Sequence, residues 1–166
     1  MWRYKKRKIM SGYDYYFWEL TIEKYGRLKL PTALLKSLPE NERQRFFVTH
    51  GFGNHIMLWT ETAFRKNMEF LNSLNRDIIE NKRYRNAFLR NMAALESDAQ
   101  DRIVIPKPLM EYYKIEKDAI ILFDNGRIEI WSASLFRKEF DMTPDEFNLL
   151  NQKIHSTHEL VPFENL

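Results

Sequence analysis

The chain has 166 residues, which is enough for one compact domain or for two small units that share a core. It contains no cysteine, and this excludes a disulfide framework, a thiolate metal site and a cysteine nucleophile, and fits a reducing cytoplasm. The net charge of +3 is too small to indicate a nucleic-acid partner by itself.

The first segment, residues 1–11, is a basic extension. Its positive side chains include Lys5, Lys6 and Arg7. The segment lacks the long apolar stretch of a secretory signal, and the longest apolar run of the chain, 119–123, is far too short to cross a bilayer. We therefore expect a soluble, cytoplasmic protein without a membrane partner. Residues 1–8 are expected to be poorly ordered.

A strand and a short helix are predicted early in the second segment, residues 12–75. The sequence E-K-Y-G-R-L-K-L-P at 23–31 places a turn before alternating apolar residues, which predicts a strand with Lys29 on its other face. Pro31 ends this strand and stands just ahead of an amphipathic stretch. Because proline suits the first turn of a helix, we predict a short helix over 32–38.

A hairpin and a longer helix complete this segment. Strands are predicted over 46–49 and 56–59, and the G-F-G-N sequence between them has turn chemistry. Thr60 is expected to begin the helix, because its side chain can accept from a free N–H of the first turn. The following apolar residues recur at helical spacing and are expected to pack in a core. They are Phe64, Met68, Leu71 and Leu74.

The third segment, residues 76–94, is predicted to be a basic helical connection. Its positive residues are Arg76, Lys82, Arg83, Arg85 and Arg90.

The fourth segment, residues 95–140, repeats the second. D-A-Q-D-R-I-V-I-P at 98–106 matches the sequence at 23–31 with an offset of 75 positions. Further along, I-W-S-A-S-L-F-R-K at 130–138 matches L-W-T-E-T-A-F-R-K at 58–66 with an offset of 72. Two ordered matches indicate a duplicated unit, and hence an α+β fold of two pseudo-symmetric halves.

The second unit is expected to contain the same elements as the first. A strand with Val104 on its other face precedes a helix over 107–113. Two strands, 119–123 and 127–131, flank a D-N-G turn, and a helix begins at Ser132. Trp59 and Trp131, which end equivalent strands, are expected to be packing residues.

The last segment, residues 141–166, is predicted to be an acidic helix or tail, poorly ordered over 151–166. The acidic residues near this end are Glu139, Asp141, Asp145, Glu146, Glu159 and Glu164. The resulting charge asymmetry is compatible with a polyanion on one side of the molecule. Ordinary solvated helix faces would explain it as well.

The repeated turn, with an acidic residue, two spacers, glycine and arginine before alternating aliphatic residues and proline, resembles the MraZ family. The spacing of the two copies and the E-I-W-S sequence at 129–132 agree with it, and the resemblance covers residues 12–140. It implies two fused units of AbrB type, each a set of swapped β-hairpins, in a ring-shaped homo-oligomer. It also implies a transcription regulator at the nucleoid, which binds short G-rich direct repeats in double-stranded DNA upstream of its own gene in the division and cell-wall cluster.

The resemblance assigns the DNA contacts to the arginine-bearing turns. Arg27 is the principal expected contact and Arg102 is its counterpart, because the guanidinium fork can meet guanine O6 and N7 or grip a phosphate. The further expected contacts are Lys24, Lys29, Lys5, Lys6 and Arg7. The residues expected to shape the turns are Glu23, Gly26, Asp98 and Asp101. Each acidic residue is expected to hold the arginine of its own turn.

The sequence departs from the family pattern at three positions. Glu23 replaces aspartate and has a longer side chain. Tyr25 stands where lysine is usual, so one positive charge is lost. Asp101 replaces glycine; aspartate tolerates a left-handed turn, but its charge beside Arg102 would repel phosphates.

Other readings of these residues stay open. The two arginines can pair with Glu23 and Asp98 in a purely structural role. The alternative function is that of a ring-forming structural or partner-binding paralogue that has lost specific DNA recognition. An enzyme is not expected, because four scattered histidines and five glycines provide neither a catalytic dyad nor a phosphate loop. No metal, cofactor or small-molecule substrate is expected.

Overall fold

The computed structural model describes residues 14–157. Residues 1–13 lie outside this range. They include the predicted DNA contacts Lys5, Lys6 and Arg7 and the stretch 1–8 that is expected to be poorly ordered. Residues 158–166, the end of the acidic segment, also lie outside it.

The described part is an α+β fold in which the strands pair antiparallel, as the sequence predicts. The strands are β1 (Tyr15–Thr21), β2 (Arg27–Lys29), β3 (Arg45–His50), β4 (Ile56–Thr60), β5 (Ala93–Glu96), β6 (Arg102–Val104), β7 (Asp118–Asp124) and β8 (Arg127–Ser132). The helices are α1 (Thr32–Ser37), α2 (Glu61–Ser73), α3 (Ile79–Arg90), α4 (Lys107–Tyr112), α5 (Ala133–Phe140) and α6 (Pro144–Thr157). Short 3₁₀ turns occupy Lys24–Gly26 and Glu40–Glu42.

Two sheets contain these strands. Six strands form one sheet in the order β1-β7-β8-β4-β3-β5, so that strands from both sequence repeats lie side by side. The other sheet is the two-stranded ribbon β2–β6, which also joins the two repeats. Every strand pair in both sheets is antiparallel.

Local turn and cap chemistry explains why the predicted elements form. Asn125 and Gly126 make the two-residue turn between β7 and β8 with φ of 46° and 87°, the left-handed pair that closes a tight hairpin. The Thr60 hydroxyl oxygen accepts from the backbone N–H of Ala63 at 3.4 Å and caps α2. Both features confirm the predictions made from these residues.

The core lies between the ribbon and the large sheet. Leu28 and Ile103 from the ribbon are fully buried together with Phe46 and Ile121 from the sheet. The predicted packing residues of α2 also behave as expected: Phe64 and Leu71 are buried with Phe88 of α3, and Met68, Leu74 and Trp59 are partly buried against them. Trp131 is buried too.

One expectation about the C-terminal segment is wrong. Residues 151–157 are not poorly ordered but continue α6 to Thr157. The helix begins with a capping box, in which Thr143 N–H donates to Glu146 Oε2 at 2.7 Å and Glu146 N–H donates to Thr143 Oγ1 at 3.2 Å. Apolar residues at helical spacing then run as far as Ile154, within the segment expected to be poorly ordered.

The chain divides into two compact units, Met1–Leu135 and Phe136–Leu166. The first contains both sheets. The second contains most of α5 and all of α6, and within it the rings of Phe136 and Phe140 lie 4.7 Å apart. Among residues 14–157, the helices are all too short or too polar to cross a membrane.

Candidate nucleic-acid interface

The two arginine-bearing turns have the same backbone frame. Glu23 N–H donates to the carbonyl oxygen of Arg27 at 2.8 Å, and Asp98 N–H donates to that of Arg102 at 2.9 Å. Gly26 has φ of 72° and its counterpart Asp101 has φ of 60°. Aspartate therefore takes the left-handed conformation at the position where glycine is usual, as the sequence predicts.

Each turn accepts a backbone hydrogen bond from the residue that directly follows the strand of the other repeat. Ile105 N–H donates to the carbonyl oxygen of Gly26 at 2.9 Å, and Leu30 N–H donates to that of Asp101 at 2.8 Å. A side chain at Gly26 would place its Cβ 3.1 Å from both the Ile105 oxygen and Met110 Sδ. Glycine is thus required here by its φ and by the close approach of a neighbour.

The ribbon β2–β6 presents one buried face and one outer face. Leu28 pairs with Ile103, and both point into the core. On the other side of the ribbon, Arg27 pairs with Val104 and Lys29 pairs with Arg102. Because successive side chains of a strand alternate between faces, these four share one side, which we call the basic ribbon face. It consists of Arg27, Lys29, Arg102 and Val104.

Arg102 is held by acceptors on both turns. Its Nε donates to Asp98 Oδ2 at 2.8 Å, its Nη1 donates to Glu23 Oε2 at 3.3 Å, and its Nη2 donates to Gln100 Oε1 at 3.0 Å. The hydrogen bond to Asp98 is the main reason that the pKa of Arg102 is raised. With a quarter of its side chain exposed, this guanidinium has few donors left for a ligand.

Arg27 is exposed and differs sharply from its counterpart. Within residues 14–157, its side chain makes neither a hydrogen bond nor an ion pair. The expectation that Glu23 holds the arginine of its own turn is therefore wrong. The register places Arg102 diagonally across the ribbon from Arg27, and the longer side chain of Glu23 reaches that guanidinium instead.

Asp98, in contrast, serves its own turn. Its Oδ1 accepts from the backbone N–H of Gln100 at 2.9 Å and of Arg102 at 3.0 Å. The hydrogen bond from the Arg102 backbone is the largest of the effects that lower the pKa of Asp98. The second turn is thus organised by a charged carboxylate that is already committed to the protein.

The other predicted contacts lie at the edge of this face. Lys24 and Lys29 are exposed, and Lys24 Nζ lies 5.1 Å from the ring centroid of Tyr25 at the tip of the first turn. Val104 is 52% exposed beside Arg27; the sequence places it on the outer face, but exposure was needed to identify it as a candidate contact. An open groove of about 730 Å³ adjoins the same edge, between the first turn and α4.

Among residues 14–157, the histidines do not form a competing metal site. His50 lies 2.6 Å from Tyr113 Oη and 3.0 Å from Asn91 Nδ2, and burial lowers the pKa of His50, which favours its neutral form. His55 is buried 4.7 Å from the ring of Trp131. In the part of the chain that the structure describes, no three His, Cys, Asp or Glu side chains are placed to hold a metal ion.

Replacing Asp98 with asparagine is expected to lower the free energy of unfolding at neutral pH and to leave a smaller difference in acid. A carboxylate whose pKa is lowered in the folded state stabilises it above the ordinary pKa of aspartate, and this contribution is lost as the pH falls through the lowered value. Urea unfolding of both proteins across this range measures the effect. Glu116→Gln, which removes an exposed carboxylate without a hydrogen bond among the described residues, is the control. A difference between Asp98→Asn and the parent that is independent of pH would contradict the ion pair.

Comparison with known proteins gives matches over most of the chain. Residues 88–153 match the family described as "MraZ protein, putative antitoxin-like". Over 136 residues the chain is 31% identical to the transcriptional regulator MraZ of Cytophaga hutchinsonii, which spans 82% of this chain and 90% of that protein. The same protein of Caldanaerobacter subterraneus subsp. tengcongensis is 30% identical over 128 residues, 77% of this chain and 86% of the relative. That of Flavobacterium psychrophilum is 27% identical over 138 residues, 82% of this chain and 88% of the relative.

Proposed function

The chain belongs to the MraZ family of transcriptional regulators, which are not enzymes, and we propose that it reads DNA sequence through the basic ribbon face. The target is a set of short direct repeats upstream of its own gene, in the division and cell-wall cluster. The observation that carries the proposal is the exposed Arg27, whose donors are free of protein acceptors among residues 14–157. The protein acts in the cytoplasm, at the nucleoid, as a ring-shaped homo-oligomer of swapped-hairpin units.

A two-stranded antiparallel ribbon fits the major groove of B-DNA. In such a complex the Arg27 guanidinium donates to O6 and N7 of one guanine. Val104, its neighbour across the ribbon, is placed to contact the methyl group of an adjacent thymine. Lys24 and Lys29 contact phosphates on either side and set the register without reading the sequence.

Arg102 has a supporting role in this proposal. A base contact would require it to give up hydrogen bonds to Asp98 and Glu23, and Asp101 adds a further negative charge nearby. Each subunit therefore contributes one base-reading arginine. Identical subunits of an oligomer then place identical arginines on successive repeats, and the weak single contacts gain strength from their high effective concentration.

The alternative, a structural paralogue without specific DNA recognition, is favoured by one observation. Three carboxylates, those of Glu23, Asp98 and Asp101, stand among the positive side chains of the two turns and weaken the attraction for phosphates.

Binding of the full chain to its upstream region separates these functions. Fluorescence anisotropy at several salt concentrations compares a duplex carrying the direct repeats with a scrambled duplex of equal composition. We expect the repeats to bind about 10³-fold more tightly or better, as sequence-specific regulators do. Equal affinity for both duplexes would reject the proposal in favour of the structural paralogue.

Lys29→Ala is expected to weaken binding to the repeats and to the scrambled duplex by the same factor. A phosphate contact carries no sequence information, and its loss lowers the slope of log affinity against log salt by about 1. The same titrations measure both quantities. Lys66→Ala, on the exposed side of α2, is the control and is expected to leave the slope unchanged. A selective loss for the repeats would instead make Lys29 a base contact.

A further inference from the structure

Helix α6 carries an exposed apolar stripe. Phe147, Leu150 and Ile154 recur at i, i+3 and i+7, so they lie along one side of the helix, and they are 60%, 40% and 48% exposed. Leu149 is more exposed, at 68%, but lies away from this line. A row of large apolar side chains in water is typical of a surface that binds a partner.

The charged residues beside the stripe indicate which partner fits. Glu146 and Lys153 are seven positions apart and therefore lie on the same flank of the stripe. The capping box fixes the Glu146 side chain at the helix start, and the hydrogen bonds from Thr143 lower the pKa of Glu146 and keep it charged. The flank thus has a negative end and a positive end.

This flank matches the same flank of a second α6 when the two helices run in opposite directions. With Leu150 facing the partner's Leu150, Phe147 faces the partner's Ile154, and Glu146 faces the partner's Lys153. A parallel pair would place this flank against the opposite flank of the partner, where Asn151 is uncharged, and would lose the pairing of Glu146 with Lys153. Both the apolar and the charged residues therefore match in the antiparallel arrangement.

We propose that α6 pairs antiparallel with α6 of a second copy of this chain, about Leu150. The pairing rests on the homo-oligomer of the proposed function and names one of its contact surfaces. Two helices of this length bury less than the roughly 1,200 Å² of a stable stand-alone interface. The pairing therefore links copies that other contacts also hold together, and because it is two-fold it is distinct from the head-to-tail contact between neighbours in a ring. Its test must detect proximity rather than a stable isolated dimer.

The absence of cysteine from the chain makes this test direct. Leu150→Cys introduces a single thiol at the two-fold axis. Mild oxidation of the full chain is expected to convert most of the protein into a disulfide-linked dimer, which a reductant separates. Leu149→Cys, in the same helix but off the stripe, is the matched control and is expected to cross-link far less. A mixture of Phe147→Cys and Ile154→Cys proteins is expected to form the mixed dimer.

Charge variants test the direction of the pairing. Lys153→Glu in the Leu150→Cys chain places a carboxylate against the partner's Glu146 and is expected to lower the cross-linked fraction severalfold. Adding Glu146→Gln, which preserves the capping hydrogen bonds, is expected to restore most of it.

The outcomes separate this inference from the function on which it rests. Equal cross-linking of Leu149→Cys and Leu150→Cys, or no response to Lys153→Glu, overturns the pairing. If sedimentation then still shows an oligomer, and anisotropy still shows a preference for the repeats, the proposed function stands without the α6 pairing. A monomer at all concentrations with no cross-link overturns the pairing and the proposed assembly together.

Discussion

Arg27→Ala is expected to lower affinity for the direct repeats by about 5- to 150-fold, because a bidentate contact to guanine is worth roughly 1–3 kcal/mol. Affinity for scrambled DNA is expected to fall far less. The side chain is exposed and makes no hydrogen bond or ion pair with residues 14–157, so its removal costs little folding energy. Anisotropy titrations against both duplexes measure the two losses.

Two companion variants make this result specific. Arg27→Lys keeps the positive charge but lacks the planar fork, and it is expected to lose most of the preference for the repeats while retaining affinity for random DNA. Arg102→Ala is expected to cost less binding than Arg27→Ala, because Asp98 and Glu23 already occupy that guanidinium. Sedimentation must show the same oligomer for each variant, since losses multiply over subunits. If Arg27→Ala weakens both duplexes equally, Arg27 is not a base contact.

Ile103→Ala is expected to lower the free energy of unfolding by about 2–5 kcal/mol, the usual cost of emptying a fully buried aliphatic site. Ile103 is fully buried opposite Leu28, beneath the basic ribbon face. Urea unfolding at constant protein concentration measures the change. Since an oligomer couples folding to assembly, the concentration must be matched between variants.

The adjacent residue provides the control. Val104 follows Ile103 in β6 but is about half exposed, so Val104→Ala is expected to change stability by about 0.5 kcal/mol or less. Equal destabilisation by the two variants would show that the ribbon does not have one buried and one outer face.

The elements that could be predicted are those whose signals are local. The alternation around Leu28, the Asn125-Gly126 turn and the Thr60 cap each act within a few residues, and the structure has them where the sequence places them. Strand β1 could not be read in this way. Its sequence, Tyr15–Thr21, has aromatic residues in succession rather than a clear alternation, and it forms a strand by pairing with β7.

The candidate site also has features that could be predicted from the sequence and features that could not. The residue types, the turn and the left-handed Asp101 follow from the repeated motif. The partner of Glu23 does not, because it depends on the register of β2 against β6, which lie far apart in the chain. The sequence already makes Arg27 the principal contact, because Asp101 adds a negative charge beside Arg102. The structure adds that Asp98, Glu23 and Gln100 occupy the Arg102 guanidinium.

The pairing of β1 with β7 determines when this protein can fold during its synthesis. Partners such as Tyr15 and Asp124 lie more than 100 positions apart, so β1 emerges from the ribosome long before the strand that completes it. Loop closure over such a distance must precede the gain from pairing, which makes folding slow compared with that of a helical protein of equal size. The aromatic first strand therefore waits unpaired in the nascent chain, and this interval is when it is exposed to aggregation and to chaperones.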